Sequence, residues 1–549
     1  MIAEQRLARQ CKLCLLSHFP PARLIYFFPS NQSLPSSHNF MRWCNNTLTI
    51  KTMPIYYAGV LRGDCVKTRS LLPALLPVAA LWLAASSMVS ASTPPAKAAP
   101  AARNCHLPGV TDILQCVTLD VPLDHANPAG NKLKLHVTVA PAHRKGVRND
   151  PLFVLAGGPG QAGSDVVQIL KTALSRVQAT RDIVFIDQRG TGLSGKLDCK
   201  SKPEHERMTE DQLEAEVRAC IAATRAPFKA YTTEAAARDT ELVRRSLGYG
   251  AVNVFGGSYG TRLGQAYARL YPSSVRSLVL DGVAAPDQVI PAGARDGQAA
   301  LDKVFEHCAR DAGCNKAFPN LRAQFDGLLA RLEAAPIKLS LPDPRTAKPI
   351  EMSMTATRFL GTVHNILYSP ADARRLPFLI QSAAQGRWQP FVARQNLASD
   401  FGGDSQMALL LHLAVVCAED VPRMTPELLA SDAGKLTKML ADMMPALCKS
   451  IDVPAVPYKE PTRIEAPALL LSGALDPVTP PHRAVTAARY MSRAQHVVVD
   501  SLGHGVSQLG CAPRLLRTFL DKPQDKLDAS CLKQIPLPTF QLGSAGPQP

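Results

Sequence analysis

Residues 132–140, Lys-Leu-Lys-Leu-His-Val-Thr-Val-Ala, alternate polar and apolar side chains. A period of two sends successive side chains to opposite faces, so this run predicts a half-buried β-strand. Four further runs, Leu152–Leu155, Ile183–Ile186, Val252–Phe255 and Val275–Leu280, are short and apolar throughout, the pattern of strands covered on both faces. Between them, Glu234–Ser246 and Tyr259–Leu270 read as helices. Strands alternating with helices predict an α/β fold built on a mostly parallel central sheet.

After Gly282 the rhythm changes. From about residue 287 to 462, apolar residues recur at spacings of three and four, as in Leu301, Val304, Phe305 and Cys308, then Leu321, Phe325, Leu328 and Leu332. Each set makes one apolar helix face, so the block predicts a helical cap inserted into the α/β sheet. Strand rhythm returns at Ala468–Ser472 and His496–Val499, ahead of a Pro-rich tail. These changes divide the chain into a leader (1–91), a Pro/Ala-rich linker (92–104), a first core part (105–286), the cap (287–462), a second core part (463–535) and a tail (536–549). No internal repeat is apparent.

The leader has its own logic. Arg62, Lys67 and Arg69 precede the apolar stretch Leu71–Ala85, and small residues follow to Val89-Ser90-Ala91. A charged region, an apolar region and small residues at the cut make a secretory signal over about 62–91, with cleavage after Ala91. The alternative is an uncleaved membrane anchor, since the apolar stretch approaches the length of a span. A signal sixty residues into a chain is out of place, and residues 1–60 have no amphipathic period; an upstream mis-start of translation is the expectation for them. The mature protein is thus expected to be secreted or periplasmic, with no stable membrane span once the signal is removed.

Composition changes this picture little: 46% hydrophobic and 19% charged residues in 549 describe an ordinary globular chain able to bury a large core. The net charge of +16 matters less than it looks, because residues 1–91 hold nine Lys or Arg and only two Asp or Glu. The rest is spread along the chain, with no dense basic run and no aromatic interleaving, which argues against a nucleic-acid partner. Of fourteen cysteines, four (Cys11, Cys14, Cys44, Cys65) lie in the leader. The other ten fall as near neighbours: Cys105 and Cys116, Cys199 and Cys220, Cys308 and Cys314, Cys417 and Cys448, Cys511 and Cys531. An exported chain keeps disulfides, and sequential pairing would close five short loops, although spacing alone does not fix connectivity. With no tight CxxC pair and no HExxH run, no zinc site is implied.

The chemistry gathers around Gly256-Gly257-Ser258-Tyr259-Gly260. This G-x-S-x-G follows a predicted strand and opens a predicted helix, the context that turns a weak pattern into a nucleophile elbow rather than a glycine-rich structural turn. A serine hydroxyl needs a base to take its proton. His504, in Ser501-Leu502-Gly503-His504-Gly505, lies in the loop beyond the last predicted strand, where loops converge on the catalytic face; His482 and His496 fall at a helix start and in a strand. The acid is expected one strand earlier. Asp476 follows the apolar run Leu469–Leu471 in a turn, and the order Ser…Asp…His suits the α/β-hydrolase arrangement. A plain turn aspartate before proline is the simpler alternative there, and Asp500 competes but lies close along the chain to His504. An oxyanion hole needs two backbone N–H groups: Tyr259, next to the nucleophile, and Gly158 in Gly157-Gly158-Pro159-Gly160 are the candidates. Nothing in these residues calls for a cofactor or a metal.

Gly157–Gly160, Asp187-Gln188-Arg189-Gly190-Thr191-Gly192-Leu193-Ser194 and Gly256–Gly260 together resemble the proline iminopeptidase and tripeptidyl aminopeptidase group of α/β-hydrolases, over roughly residues 105–535. The exported, cysteine-bearing character is closer to the tripeptidyl aminopeptidase branch, whose C-terminal region 463–535 is similar to. Many iminopeptidases carry His before Gly-Gly-Pro-Gly, whereas this chain has Ala156, which counts against strict prolyl specificity. The resemblance implies exopeptidase action on a peptide with a free N-terminus, gripped by cap carboxylates. Val415-Val416-Cys417-Ala418-Glu419-Asp420 resembles a Cys-x-Glu-Asp segment of that branch and makes Glu419 and Asp420 the candidates, against a solvated acidic turn. Two rivals stand beside the aminopeptidase reading: a carboxylic-ester hydrolase on the same triad, and a catalytically inactive binding protein.

Overall fold

The computed structural model describes residues 101–546, apart from 145–146, 201, 203, 206–207, 344–345 and 399–406. The leader, with its signal and the 1–60 stretch, and most of the linker lie outside the described residues. Among the described residues, nine strands form one sheet and two more a separate hairpin. In chain order they are β1 (Arg103–Cys105), β2 (Leu114–Pro122), β3 (Lys132–Ala140), β4 (Leu152–Leu155), β5 (Ile183–Ile186), β6 (Val252–Gly257), β7 (Val275–Asp281), β8 (Ile337–Pro342), β9 (Pro349–Met354), β10 (Ala468–Gly473) and β11 (Ala494–Val499).

The large sheet runs β1-β2-β3-β5-β4-β6-β7-β10-β11. From β5 to β11 every neighbour is parallel, while β1, β2 and β3 form an antiparallel edge. Alternation divides the core by face. Phe153, Leu155, Val184 and Val254 pack into one cluster; Leu152, Val154, Ile183 and Phe185 pack into another. The chain leaves β4 for β5 on one side and returns to β6 on the other. That reversal of direction opens a crevice at the carboxyl ends of β4 and β6, where open α/β sheets bind ligands.

Helix α1 (Thr233–Ser246) starts where the Thr232 hydroxyl accepts the N–H of Ala235, and it buries Ala236, Ala237, Thr240 and Val243. Helix α2 (Tyr259–Leu270) follows β6 directly. The cap begins with α3 (Ala294–Arg310), whose buried residues include Leu301, Val304, Phe305 and Cys308, the set picked out by spacing. It has a core of its own, in which Phe305, Phe325, Phe359 and Phe391 form a chain of rings with centroids 5.6, 5.5 and 5.1 Å apart. Each such pair contributes about 0.5–1.5 kcal/mol beyond burial. Helix α4 (Ala356–Leu367) supplies Phe359.

Two features of the inserted block differ from the helical expectation. Strands β8 and β9 pair as an antiparallel hairpin; Ile337–Pro342 buries Leu339 and Leu341 and exposes Lys338 and Ser340, a period of two too short to stand out among long helices. Helix α5 (Leu409–Glu419) is apolar nearly all round, and its Leu410, Leu413, Ala414 and Val416 join the cluster on the sheet, not the cap's ring cluster. The ten described cysteines form five disulfides in sequential order, Cys105–Cys116, Cys199–Cys220, Cys308–Cys314, Cys417–Cys448 and Cys511–Cys531. Among the described residues, no helix is long and apolar enough to cross a membrane.

Candidate active site

Register brings three loops together. Gly257 pairs with Asp281, Asp281 with Leu471, and Gly473 with Val499, so β6, β7, β10 and β11 end nearly level. Ser258, Asp476 and His504 leave the sheet at that edge.

Ser258 occupies a sharp turn with φ 54° and ψ −124°, strained for a side-chain-bearing residue. Its N–H donates to the Asp281 carbonyl at 2.9 Å, and its own carbonyl accepts the N–H of Thr261 at 2.9 Å and the Thr261 hydroxyl at 2.6 Å. The flanking glycines are a matter of space: a Cβ on Gly256 would fall 2.4 Å from the Gly260 carbonyl oxygen, and one on Gly260 would fall 2.0 Å from that of Leu155. The elbow therefore packs backbone on backbone, which is what G-x-S-x-G provides.

His504 Nδ1 lies 2.8 Å from Asp476 Oδ2. Asp476 is 1% exposed, and its Oδ1 accepts the N–H groups of Val478 and Thr479, each at 2.9 Å. Burial by itself would raise its pKa; the adjacent His504 charge and hydrogen bond, with the Thr479 and Val478 N–H groups, reverse that and hold the carboxyl below the ordinary range. The Thr479 hydroxyl donates to Asp476 Oδ2 at 2.8 Å and sits 3.1 Å from His504 Nδ1, a brace that the sequence reading missed. Turn chemistry offers part of the signal, since Asp commonly accepts backbone N–H groups just after it, as Asp476 does from Val478 and Thr479. From the cap, the Tyr368 carbonyl accepts the His504 N–H at 2.9 Å, and the two rings meet edge to face at 5.1 Å. No sequence pattern signals that contact. The competing histidines are engaged elsewhere: His496 Nε2 with the Ser472 hydroxyl at 3.0 Å, His482 with Asp296 at 3.4 Å. Asp500 is exposed.

The loop after β4 lies against Ser258. A Cβ on Gly157 would fall 3.2 Å from that of Ser258, and Gly158 takes φ +110°, a conformation natural only to glycine. The loop is held by Ala408, whose N–H donates to the Gly160 carbonyl at 2.9 Å, and by His412, whose Nδ1 is 3.1 Å from the Pro159 carbonyl. Tyr259 is the first residue of α2, so its N–H has no acceptor within the helix. Its ring is buried, and its hydroxyl is 2.7 Å from that of Thr233; burial first, then the Glu419 charge, pushes the phenol well above its usual value.

The two cap carboxylates differ in their surroundings. Glu419 accepts the Thr233 N–H and the Thr233 hydroxyl, both at 2.6 Å, and forms no ion pair among the described residues. Burial raises its pKa, offset in part by the Arg262 charge and the Thr233 bonds. Asp420 is fully buried: Arg262 grips it with both terminal nitrogens at 3.0–3.2 Å, and Arg423 adds a bond at 2.9 Å. Its oxygens are taken up inside the protein, whereas Glu419 keeps lone pairs to offer. Among the described residues, no group of three His, Cys, Asp or Glu is arranged to hold a metal ion.

A strained serine turn between strand and helix, a His–Asp pair on the following loops and a helical insertion in a mostly parallel sheet characterise a class, and comparison with known proteins agrees on the fold. Residues 150–507 match the family described by the alpha/beta hydrolase fold. The chain belongs to that family. It is 26% identical over 435 residues to the serine protease Hip1 of Mycobacterium tuberculosis, covering 71% of this chain and 81% of that one. It is 31% identical over 195 residues to a tripeptidyl aminopeptidase of Streptomyces coelicolor (32% and 36% of the two chains) and 30% identical over 290 residues to carboxylesterase B of Mycobacterium tuberculosis (47% and 52%).

Proposed function

We propose that this chain is an exported serine exopeptidase of the tripeptidyl aminopeptidase kind, releasing N-terminal residues or short peptides through an acyl-enzyme on Ser258. His504 takes the Ser258 proton as Oγ bonds to the scissile carbonyl carbon, and Asp476 stabilises the imidazolium that results. The N–H groups of Gly158 and Tyr259 receive the charge that develops on the carbonyl oxygen. His504 then returns the proton to the leaving amine as the C–N bond breaks. Water, deprotonated by His504, cleaves the ester and frees the N-terminal fragment. No step needs a cofactor.

The observation that carries the exopeptidase reading is Glu419. It is a desolvated carboxylate without an ion pair among the described residues, one hydroxyl away from Tyr259. A substrate α-ammonium would supply the missing charge, and its fixed distance from Ser258 would measure out the fragment released. Asp420, committed to Arg262 and Arg423, serves this site by holding the end of α5 in place. The serine protease and tripeptidyl aminopeptidase among the relatives support the peptidase reading, and five disulfides support an oxidising compartment. Ester hydrolysis by the same triad is the second reading, supported by the carboxylesterase relative.

The test is a fluorophosphonate probe with a panel of aminoacyl-, dipeptidyl- and tripeptidyl-chromogenic amides. The probe labels the protein at Ser258, and Ser258→Ala removes labelling and turnover together, with a loss of roughly a million-fold. A folded Ser258→Ala protein of near-normal activity would eliminate the mechanism.

A further inference from the structure

Asp281 ends β7, and its side chain stands outside the Ser258–Asp476–His504 set. Two groups of contacts nevertheless place it between the nucleophile and the base. Its carbonyl oxygen accepts the N–H of Ser258 at 2.9 Å. Its carboxylate accepts the N–H of Val506 at 2.9 Å on Oδ1 and 3.1 Å on Oδ2, and the N–H of Ser507 at 2.9 Å on Oδ2; the Ser507 side chain adds a further bond. Val506 and Ser507 follow His504 by two and three residues. Gly282, next in the chain, lies close to the imidazole: a Cβ there would fall 3.1 Å from His504 Cε1 and 3.3 Å from Nδ1.

A carboxylate in such a place is costly. Asp281 is 5% exposed and pairs with no Lys or Arg among the described residues; burial is the chief influence on its proton affinity and raises it, while the Ser507 and Val506 bonds and the His504 charge act the other way. What the buried group does is hold two consecutive backbone N–H groups of the histidine loop. Asp476 holds the imidazole through Nδ1, whereas the Asp281 carboxylate holds the backbone of the loop that carries it.

We infer that Asp281 is a positioning residue, which sets the distance between Ser258 and His504 by holding the elbow through its backbone and the histidine loop through its carboxylate. This rests on the reading of Ser258 and His504 as nucleophile and base. Reacting groups are sensitive to such placement: a displacement of about 1 Å costs about a hundredfold in rate.

Asp281→Asn keeps the size of the side chain and one acceptor oxygen but turns an NH2 group toward one of the two N–H donors. Counted per titratable active site, its kcat on a tripeptidyl amide falls about 10- to 100-fold with KM within about twofold, and fluorophosphonate labelling slows in parallel. In a His504→Ala background the same substitution costs less than about twofold, because the group acts through the imidazole. A merely structural role would lower the melting temperature and the number of titratable sites while leaving kcat per site unchanged. Wild-type kcat per site in Asp281→Asn, or an undiminished loss in the His504→Ala background, overturns the inference. Should Asp281→Asn not fold, Ser507→Ala decides: kcat is expected about two- to fivefold lower at constant KM, and a wild-type kcat overturns the inference. Failure of the underlying reading shows separately, as wild-type protein that the probe does not label at Ser258.

Discussion

Replacing Glu419 with Gln removes one charge and almost no volume. The carboxylate receives two 2.6 Å hydrogen bonds from Thr233, one from its N–H and one from its hydroxyl. In the variant, the amide oxygen keeps the N–H bond, while the NH2 group has to meet the Thr233 hydroxyl. That hydroxyl then turns its proton toward Tyr259, with which it already shares a 2.7 Å contact. Rerouting a buried chain of this kind costs about 1 kcal/mol of stability, less what is regained by no longer burying a charge. The loss on substrate is larger. A desolvated carboxylate–ammonium contact contributes about 2–4 kcal/mol, which at 1.4 kcal/mol per tenfold is about 30- to 1,000-fold in kcat/KM. The assay compares free-amine peptide amides, the same peptides acetylated, and a small neutral ester. Glu419→Gln loses activity on the first alone, and acetylation reproduces the loss without adding to it, because both delete one interaction. Equal losses on amine and ester would make Glu419 a structural residue. Full cleavage of acetylated peptides by the unmodified enzyme would refute N-terminal recognition and favour the esterase reading.

Two further expectations follow from the same structure. Burial raises the Glu419 pKa above the ordinary carboxylate value, and only the ionised form can hold an ammonium; as pH falls through that raised pKa, kcat/KM for free-amine peptides drops one order of proton dependence more steeply than for a neutral ester, and identical acid limbs would remove Glu419 from the binding step. Linkage gives stability the opposite direction: ionised Glu419 opposes folding above its folded pKa, and that penalty is relieved as pH falls through it. In the unreduced native protein, the ten cysteines from Cys105 to Cys531 resist alkylation; five or more free thiols among them would contradict the pairing, and opening Cys417–Cys448, which spans 31 residues and anchors the end of α5, costs about 3–4 kcal/mol.

Local pattern determined much of this protein. The bounds of β3, β4 and β5 and the start and end of α2 follow from periodicity, because a strand covered on both faces and a helix with one apolar face leave different spacings in the chain. The placement of Ser258, Asp476 and His504 at one edge was legible for a related reason: each follows a recognisable strand, and the parallel sheet delivers the ends of such strands to one edge. What the chain did not disclose depends on contacts between residues far apart in sequence. The β8–β9 hairpin is short enough to vanish among helices, and α5 packs on the sheet although it lies within the inserted block. Glu419 and Asp420 are neighbours in sequence, yet one faces the Thr233 hydroxyl and the other is enclosed by Arg262 and Arg423, a difference set by which side of the α5 terminus each occupies. Thr479, Tyr368 and Asp281 gain their places beside His504 only when four loops meet. Hydrogen bonds depend on distance in space, and only the folded chain brings those distances to about 3 Å.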